Sequence, residues 1–421
     1  MSSRTEDPRS SSSIDDIGQR ARVGGGMQSS RLAVLVVVDQ LRRAVPGGIG
    51  TYALGLLAGL RQAAVSEGSG AAGGRGSRGP EVSLLAGRPS RHAAGGLPLT
   101  ADPLAGLGFG LRTSVLRGRA LIRSWDLGVA GAPRGFAVVH AVSTAAPALR
   151  GGRSSLVVTV HDLAWRHHPE ATTRRGRRWH EAALHRALRR ADAFVVPSSS
   201  VAEDLVAAGA NPDRVAVIVE GSDHLPDPDP HAASVLLQGA GVHGDYLLSV
   251  STLEPRKNLR RLLSAYGRAR RLGAEPLPLV VVGPTGWGDA ALETDLAASE
   301  GVALVGAVTA EVLAALYARA RLFVYVPLTE GYGLPPLEAM RCGAPVVASA
   351  TVPSVFEGVV DHPAAIGVDP LDVDAIAEGL IRGSADESLR AELVQRGFEW
   401  SSERTWRATA DAHVELWEQL G

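Results

Sequence analysis

Lysine and cysteine are almost missing from this 421-residue chain; each occurs once, as Lys257 and Cys342. A single thiol excludes an internal disulfide framework and fits a reducing compartment. No Cys/His cluster has the spacing of a zinc site. No apolar run approaches the roughly 20 residues of a spanning helix, and the N-terminus lacks the apolar core of a signal peptide. The expectation is a cytoplasmic protein, with peripheral attachment to the inner face of a membrane as its one further option. Strong net charge is also lacking, at −1, so no global field points to a nucleic-acid partner. A GxGxxG fingerprint with an acidic residue ending the next strand is absent too, which disfavours a dinucleotide site. No DxD-like acidic pair is placed to hold a divalent metal.

The scarcity of lysine is itself informative. Every other residue in the basic count is arginine, as a GC-rich coding bias would produce. A lysine that persists against such a bias is expected where a compact ammonium is needed rather than a planar fork.

What is present reads as a globular α/β protein. Hydrophobic residues make up 45% and charged residues 21%, and the length suffices for two domains with full cores. Residues 1–30 are rich in Ser, Arg, Asp and Gly and read as a disordered tail, with Met27 as a conceivable later start. A first domain is expected over 31–225, a linker over 226–242 around the stiff LPDPDP run, and a second domain over 243–399. A last amphipathic helix over 400–421 is expected to pack across both.

Continuous apolar runs mark buried parallel strands. They include RLAVLVVVD (Arg31–Asp39), EVSLLAG, FAVVHA (Phe136–Ala141), SLVVTVHDL (Ser155–Leu163), ADAFVVP, RVAVIVEG, DYLLSVS, PLVVVG and VALVGAV. Helical patterns alternate with them, among them ALGLLAGLRQA, VAEDLVAAG, LRRLLSAYGRARRLG, Ala310–Ala320, Leu371–Ile381 and Glu387–Arg396. Ser66–Pro80 reads as a loop, and Arg88–Gly128 resists assignment beyond short helices. Alternation of this kind gives doubly wound parallel sheets.

Ligands of such sheets sit at the carboxyl ends of the strands. There the chain places Gly47 and Gly48 of PGGIGTY, then His140 and His161. It also places Arg256 and Lys257 of TLEPRKN, whose two cations beside a helix start suit a pyrophosphate; a solvated pair on a loop is the alternative. Phe323–Ser349 reads strand, glycine-broken loop, helix, strand, with Pro335 and Pro336 opening the helix and Gly343 closing it. Its Glu330 and Glu338 can accept hydrogen bonds from hydroxyls, as a sugar or ribose offers. The alternative is an ordinary βαβ unit with Glu338 favourably placed in a first helical turn. Thr172–Arg190 is basic and helix-compatible, with Trp179, Ala183, Leu184 and Leu188 at near-helical spacing. It reads either as a membrane-surface helix or as a solvated arginine face over a core stripe.

Together, STLEPRKNLRRLLSAY, VVGPTGWG and EGYGLPPLEAMRCGAPVVAS resemble the signature blocks of retaining nucleotide-sugar glycosyltransferases of family 4. GGIGTY, VVHA, VTVHDLAWRHHPE and DRVAVIVEGSD follow the same pattern, so the resemblance runs from about Arg31 to the C-terminus. It implies the GT-B fold, two Rossmann-like doubly wound parallel-sheet domains facing across a cleft. It further implies that Glu330 and the backbone of Gly331, Tyr332, Gly333 and Leu334 hold the donor sugar, and that Glu338 binds the ribose. Arg256 and Lys257 would neutralise the leaving diphosphate, and His161 would line the cleft by the sugar. Gly283 and Val305 would belong to the donor site, Val305 by the base; Gly47, Gly48 and His140 would face the phosphate or acceptor. The chain departs from the family's usual PNGVD block, reading VEGSD, so that Glu220 stands where the family has asparagine.

The implied mechanism is front-face displacement with retention, without protein nucleophile, metal or cofactor. TLEPRKNL and GPTGWG resemble mannosyltransferase-like members using GDP-mannose, with UDP-sugars as the alternative donors. The acceptor class is a glycan, a glycolipid or a small polyol. An epimerase, a phosphorylase with pyridoxal on Lys257, and a non-catalytic binding partner are the other readings on this architecture.

Overall fold

The computed structural model describes residues 31–43, 46–69, 79–89, 102–272, 277–286, 290–359 and 361–421. The expected disordered tail and most of the Ser66–Pro80 loop lie outside them. The first domain runs β1 (Ala33–Val37), α1 (Gly47–Ser69), β2 (Glu81–Ala86), β3 (Gly110–Thr113), α2 (Gly118–Asp126), β4 (Val138–Ala141), β5 (Ser155–Thr159), α3 (Ala164–His167), α4 (Arg174–Arg190), β6 (Ala193–Val196), α5 (Ser199–Ala207) and β7 (Val215–Val217). These strands form a parallel sheet in the order β3-β2-β1-β4-β5-β6-β7.

The second domain runs α6 (Pro230–Gly239), β8 (Leu247–Val250), α7 (Leu259–Arg271), β9 (Leu279–Val282), α8 (Ala290–Ala298), β10 (Val302–Gly306), α9 (Ala310–Arg319), β11 (Leu322–Tyr325), α10 (Leu334–Arg341), β12 (Val346–Ser349), α11 (Pro353–Phe356), β13 (Ile366–Val368), α12 (Val373–Ala385) and α13 (Glu387–Ser402), and α14 (Trp406–Leu420) ends the chain. Its parallel sheet has the order β10-β9-β8-β11-β12-β13.

Both sheets are covered on both faces, which is why their strands read as unbroken apolar runs. Leu35, Val37, Val139 and Val158 pack under α2, α4 and α5, while Val34, Val36, Val138 and Val157 pack under α1 and α14. In the second sheet Leu247, Val281, Leu322 and Val324 face α7 and α12, and Leu248, Val280 and Phe323 face α9 and α10.

Each sheet starts in its middle, winds outward, then returns to the other side of its first strand. The reversal lies between β1 and β4 in one domain and between β8 and β11 in the other. At such a point the connections leaving two neighbouring strands diverge and open a crevice at their carboxyl ends.

Three segments differ from the sequence expectation. The stretch read as a linker contains α6, whose Ala233 and Leu237 join the core of the second domain; its start is tied by Asp229 N–H donating to Glu311 O (3.0 Å). Within Arg88–Gly128, the described part holds a strand as well as a helix: β3, exposed on an edge, and α2. The last helix is interrupted at Glu403–Thr405. Trp400 stays with the second domain, its indole N–H donating to Ser354 O (2.8 Å), and α14 packs on α1 of the first. Helix α4 buries Ala183, Leu184 and Ala187, leaving Arg174, Arg175, Arg178 and Arg189 exposed.

Candidate functional site

The loop after β8 turns through a short 3-10 segment, Pro255–Lys257, and reaches α7 through Asn258, whose φ of 61° is left-handed. Asparagine tolerates that region because its short polar side chain bonds locally. Here the side chain reaches further: Nδ2 donates to Val326 O (2.9 Å) and Pro370 O (2.7 Å). The loop after β8 is thereby fastened to the end of β11, across the reversal point of the sheet.

Glu330, on the loop after β11, is the anion at the centre of this junction. Arg256 Nη1 lies 3.1 Å from Oε2. Lys257 Nζ donates to Oε1, and the Tyr325 hydroxyl donates to the same oxygen at 2.8 Å. Burial by itself would raise the carboxyl pKa. Arg256, then Lys257, and the hydrogen bonds from Lys257 and Tyr325 overcome it and hold the group at about 2. Lys257 also donates to the Tyr325 hydroxyl (3.0 Å), two contacts within reach of one compact ammonium. The expected cation pair and Glu330 thus meet. Tyr325 and Asn258 complete the cluster and were not singled out from sequence, although an aromatic at a strand end and an asparagine before a helix are their visible signals.

The glycine loop follows. A Cβ on Gly331 would lie 1.7 Å from the His161 carbonyl oxygen, so only glycine lets the second domain's loop touch the end of β5 in the first. Ser198 Oγ donates to Gly331 O (2.7 Å), and the Tyr332 hydroxyl donates to Glu220 O (3.1 Å). Gly333 has a φ of 97° and precedes α10, whose first turn contains proline. No acidic residue occupies that first turn, so the helix-dipole reading of Glu338 does not apply. The Glu338 carboxylate instead accepts from the Tyr317 hydroxyl (2.9 Å) and lies 3.0 Å from His224 Nε2. The other ring nitrogen of His224 accepts from the Trp406 indole (3.2 Å). Glu338 lines a pocket of about 260 Å³ together with Ser222, Asp223, Leu225, Arg341 and Cys342.

His161 sits on the facing wall. Its Nε2 donates to Val142 O (2.9 Å), and Nδ1 lies 3.4 Å from Glu220 Oε1. Burial lowers its pKa, but Glu220, the Val142 carbonyl and Asp162 outweigh burial, so the net shift is upward. Acceptors on both ring nitrogens favour the doubly protonated imidazolium. The residue that departs from the family pattern therefore has a structural partner, His161.

Not every expected residue joins the site. His140 is a correction: it is fully buried, its Nε2 hydrogen-bonds Thr159 Oγ1 (2.8 Å), and its ring stacks on His413 of α14 (5.3 Å). It pairs with Val36 in register and shares that residue's face, the one α14 covers. Gly283 brings the end of β9 against Ser251 O, 1.9 Å from where a Cβ would be. Val305 lies in β10, an edge strand two places from β8. Gly47 and Gly48 form the exposed first turn of α1, and a Cβ at either meets nothing within 4 Å. Among the described residues, no group of three or more His, Cys, Asp or Glu is arranged to hold a metal ion.

Comparison with known proteins follows the same two-domain division. Residues 46–224 match the family model described as Glycosyltransferase Family 4, and residues 240–400 match Glycosyl transferases group 1. The O-antigen chain mannosyltransferase B of Escherichia coli is 35% identical over 63% of this chain and 70% of its own length. The GDP-mannose-dependent alpha-(1-6)-phosphatidylinositol monomannoside mannosyltransferase of Mycolicibacterium smegmatis is 29% identical over 64% of this chain and 71% of that protein. For the longer serotype-specific mannosyltransferase WbdA of E. coli, 31% identical, the match spans only 22% of the relative's length. Among solved structures, Anabaena HepE in complex with UDP and glucose superposes with a TM-score of 0.64 over 92% of this chain and 100% of that one, at 18% identity, a likeness of fold. On these matches and this architecture, the chain belongs to glycosyltransferase family 4 and has the GT-B fold.

Proposed function

We propose that the protein is a retaining mannosyltransferase that moves mannose from GDP-mannose to a glycan, glycolipid or small polyol. The observation that carries this reading is the Arg256–Lys257–Glu330 cluster at the reversal point of the second sheet, opposite His161. Two cations there can compensate the charge that develops on a departing diphosphate. Glu330, ionised far below neutrality, is a poor proton donor and a poor base, but a strong acceptor for a sugar hydroxyl. Glu338 would take the ribose hydroxyls, with Tyr317 and His224 fixing its orientation. In this reading the leaving diphosphate would take the acceptor's proton on the same face. Contact of Gly331 with His161 would keep water from the bond being broken. The names of the mannosyltransferase relatives support the choice of sugar, and that of the mycolicibacterial relative supports the base. The exposed arginines of α4 support a lipid-borne acceptor reached by peripheral membrane contact.

A thermal-shift panel of GDP, UDP, ADP and their sugars tests the reading. GDP and GDP-mannose are expected to raise Tm most. A larger shift with UDP would move the assignment to a UDP-sugar donor. No shift with any nucleotide would sink it.

A further inference from the structure

The start of α5 in the first domain grips the glycine loop of the second through two adjacent residues. Ser198 Oγ donates to Gly331 O (2.7 Å), and the next residue, Ser199, gives its backbone N–H to Glu357 Oε1 (2.6 Å). Ser199 opens α5, so this N–H has no carbonyl partner inside the helix. Among the described residues, the bond to Ser199 is the one hydrogen bond that the Glu357 carboxylate makes. Glu357 follows α11, and α11 is built onto the same glycine loop. Ser354 N–H donates to Tyr332 O (2.9 Å), and Ser354 Oγ donates to Gly333 O (2.6 Å). A Cβ on Gly333 would lie 2.5 Å from Val352 Cγ1, so loop and helix move as one piece. The contacts close a ring that runs from Ser198 to Gly331, along the loop to Ser354, and from Glu357 back to Ser199.

This ring crosses between the domains twice, and both crossings must break if the domains part. Ser199 is exposed and Glu357 only half-buried, so water can take the place of their bond at small cost. Such a bond suits a contact that opens and closes rather than one that holds the fold. We propose that Glu357 is a positioning residue, whose bond to Ser199 latches the glycine loop against the first domain during transfer. Glu357 touches no substrate; it acts through Ser354 on Tyr332 and Gly333, and keeps Gly331 seated against His161. Transfer needs two reactants held in register, whereas water reaches the donor without being positioned and is excluded only by closure. A loosened latch therefore costs transfer more than it costs hydrolysis of the donor. The inference rests on the glycosyltransferase reading of this site and adds to it a residue from outside the donor cluster.

The bond can be removed from either domain. Glu357→Ala deletes the acceptor. Ser199→Pro deletes the donor at a first helical position, where proline is well tolerated, and Ser198 before it is already extended (φ −155°, ψ 160°). Glu357→Gln keeps an acceptor oxygen and loses only the charge. GDP release from GDP-mannose would be measured without acceptor and with methyl α-mannoside, and hydrogen exchange of the Ser199 amide by mass spectrometry. In Glu357→Ala and Ser199→Pro we expect the ratio of transfer to hydrolysis to fall at least about tenfold, with the GDP-induced thermal shift unchanged. The double variant should be no worse than either single one, because both delete the same bond, and Glu357→Gln should recover most of the loss. The Ser199 amide should exchange about tenfold faster in Glu357→Ala and at the wild-type rate in Glu357→Gln. An unchanged ratio in both single variants, additive losses in the double variant, or unchanged exchange in Glu357→Ala would each overturn the latch. A wild-type protein inert towards GDP-mannose or methyl α-mannoside removes that donor or acceptor assignment, and the exchange experiment, which needs no substrate, then decides the latch alone.

Discussion

Lys257 is held by two partners, Glu330 and the Tyr325 hydroxyl, and this is where lysine and arginine differ. A guanidinium offers a rigid planar fork, whereas an ammonium can point separate N–H groups at two oxygens. Lys257→Ala is expected to lower kcat/KM for GDP-mannose by about 100-fold or more while circular dichroism stays native, and Lys257→Arg should recover only a small part. Wild-type turnover in Lys257→Arg would show that charge alone suffices. Glu220 permits a second test at this scale. Because its carboxylate is among the groups that raise the His161 pKa, the pair stabilises the fold below the ordinary histidine value of 6.5. That contribution is lost as pH rises through the folded value. In Glu220→Gln the imidazole titration followed by NMR should move down. An unmoved titration would mean that the pair does not exist in solution.

Helix α14 shows how one element is fitted to a distant one. Gly59 on α1 lies so close to it that a Cβ would be 2.0 Å from Trp406 O. Gly59→Ala should therefore cost about 1–3 kcal/mol, seen as a lowered Tm. Gly48→Ala adds a Cβ that meets nothing within 4 Å and should leave Tm unchanged, so any loss of transfer in that variant would report contact with a ligand. The same interface is pH-sensitive. His413 donates through Nδ1 to Thr409 O (2.7 Å) and accepts through Nε2 from the Tyr52 hydroxyl (2.7 Å), which fixes it as a neutral ring. Burial lowers its pKa from 6.5 to about 4. The unfolded chain then binds the extra proton first, so stability is full above about 6.5 and falls as pH drops towards 4. His413→Gln should flatten the dependence of Tm on pH in that window, and an unchanged slope would refute the assignment.

At the scale of the molecule the chain crosses between domains twice, and the two crossings are fastened to each other. Ser222 N–H donates to Arg404 O (2.9 Å), and Trp406 N–H donates to Asp223 Oδ1 (2.7 Å). His224 links this hinge to Glu338, so the proposed ribose contact and the relative position of the domains share a residue. In the proposed mechanism Arg256 and Lys257 carry the charge compensation that a divalent ion supplies elsewhere. Transfer should then survive a chelator within about twofold, whereas a metal would ordinarily contribute several kcal/mol to the barrier. Strong inhibition by a chelator would require a metal in the reaction.

Alternating apolar runs and helical patterns in the sequence by themselves determined two doubly wound parallel sheets, because burial on both faces leaves a local imprint on every strand. Arg256, Lys257 and Glu330 were legible as candidates because they are charged residues on loops at strand ends, and the structure brings the three into one ion cluster. The extra strand β3 was not legible, being four exposed residues on an edge with no apolar run to mark it. Helix α6 was masked by the prolines that precede it. Only the tertiary structure decided which strand-end residues face the cleft. His140 and His161 look alike in sequence, yet strand register and the cover of α14 turn one into the core, while the other passes the end of β5 and meets Gly331. Glu357, Asn258, Glu220 and His224 likewise gain their partners from residues far away in the chain, and a contact between distant segments leaves no periodic trace in either of them.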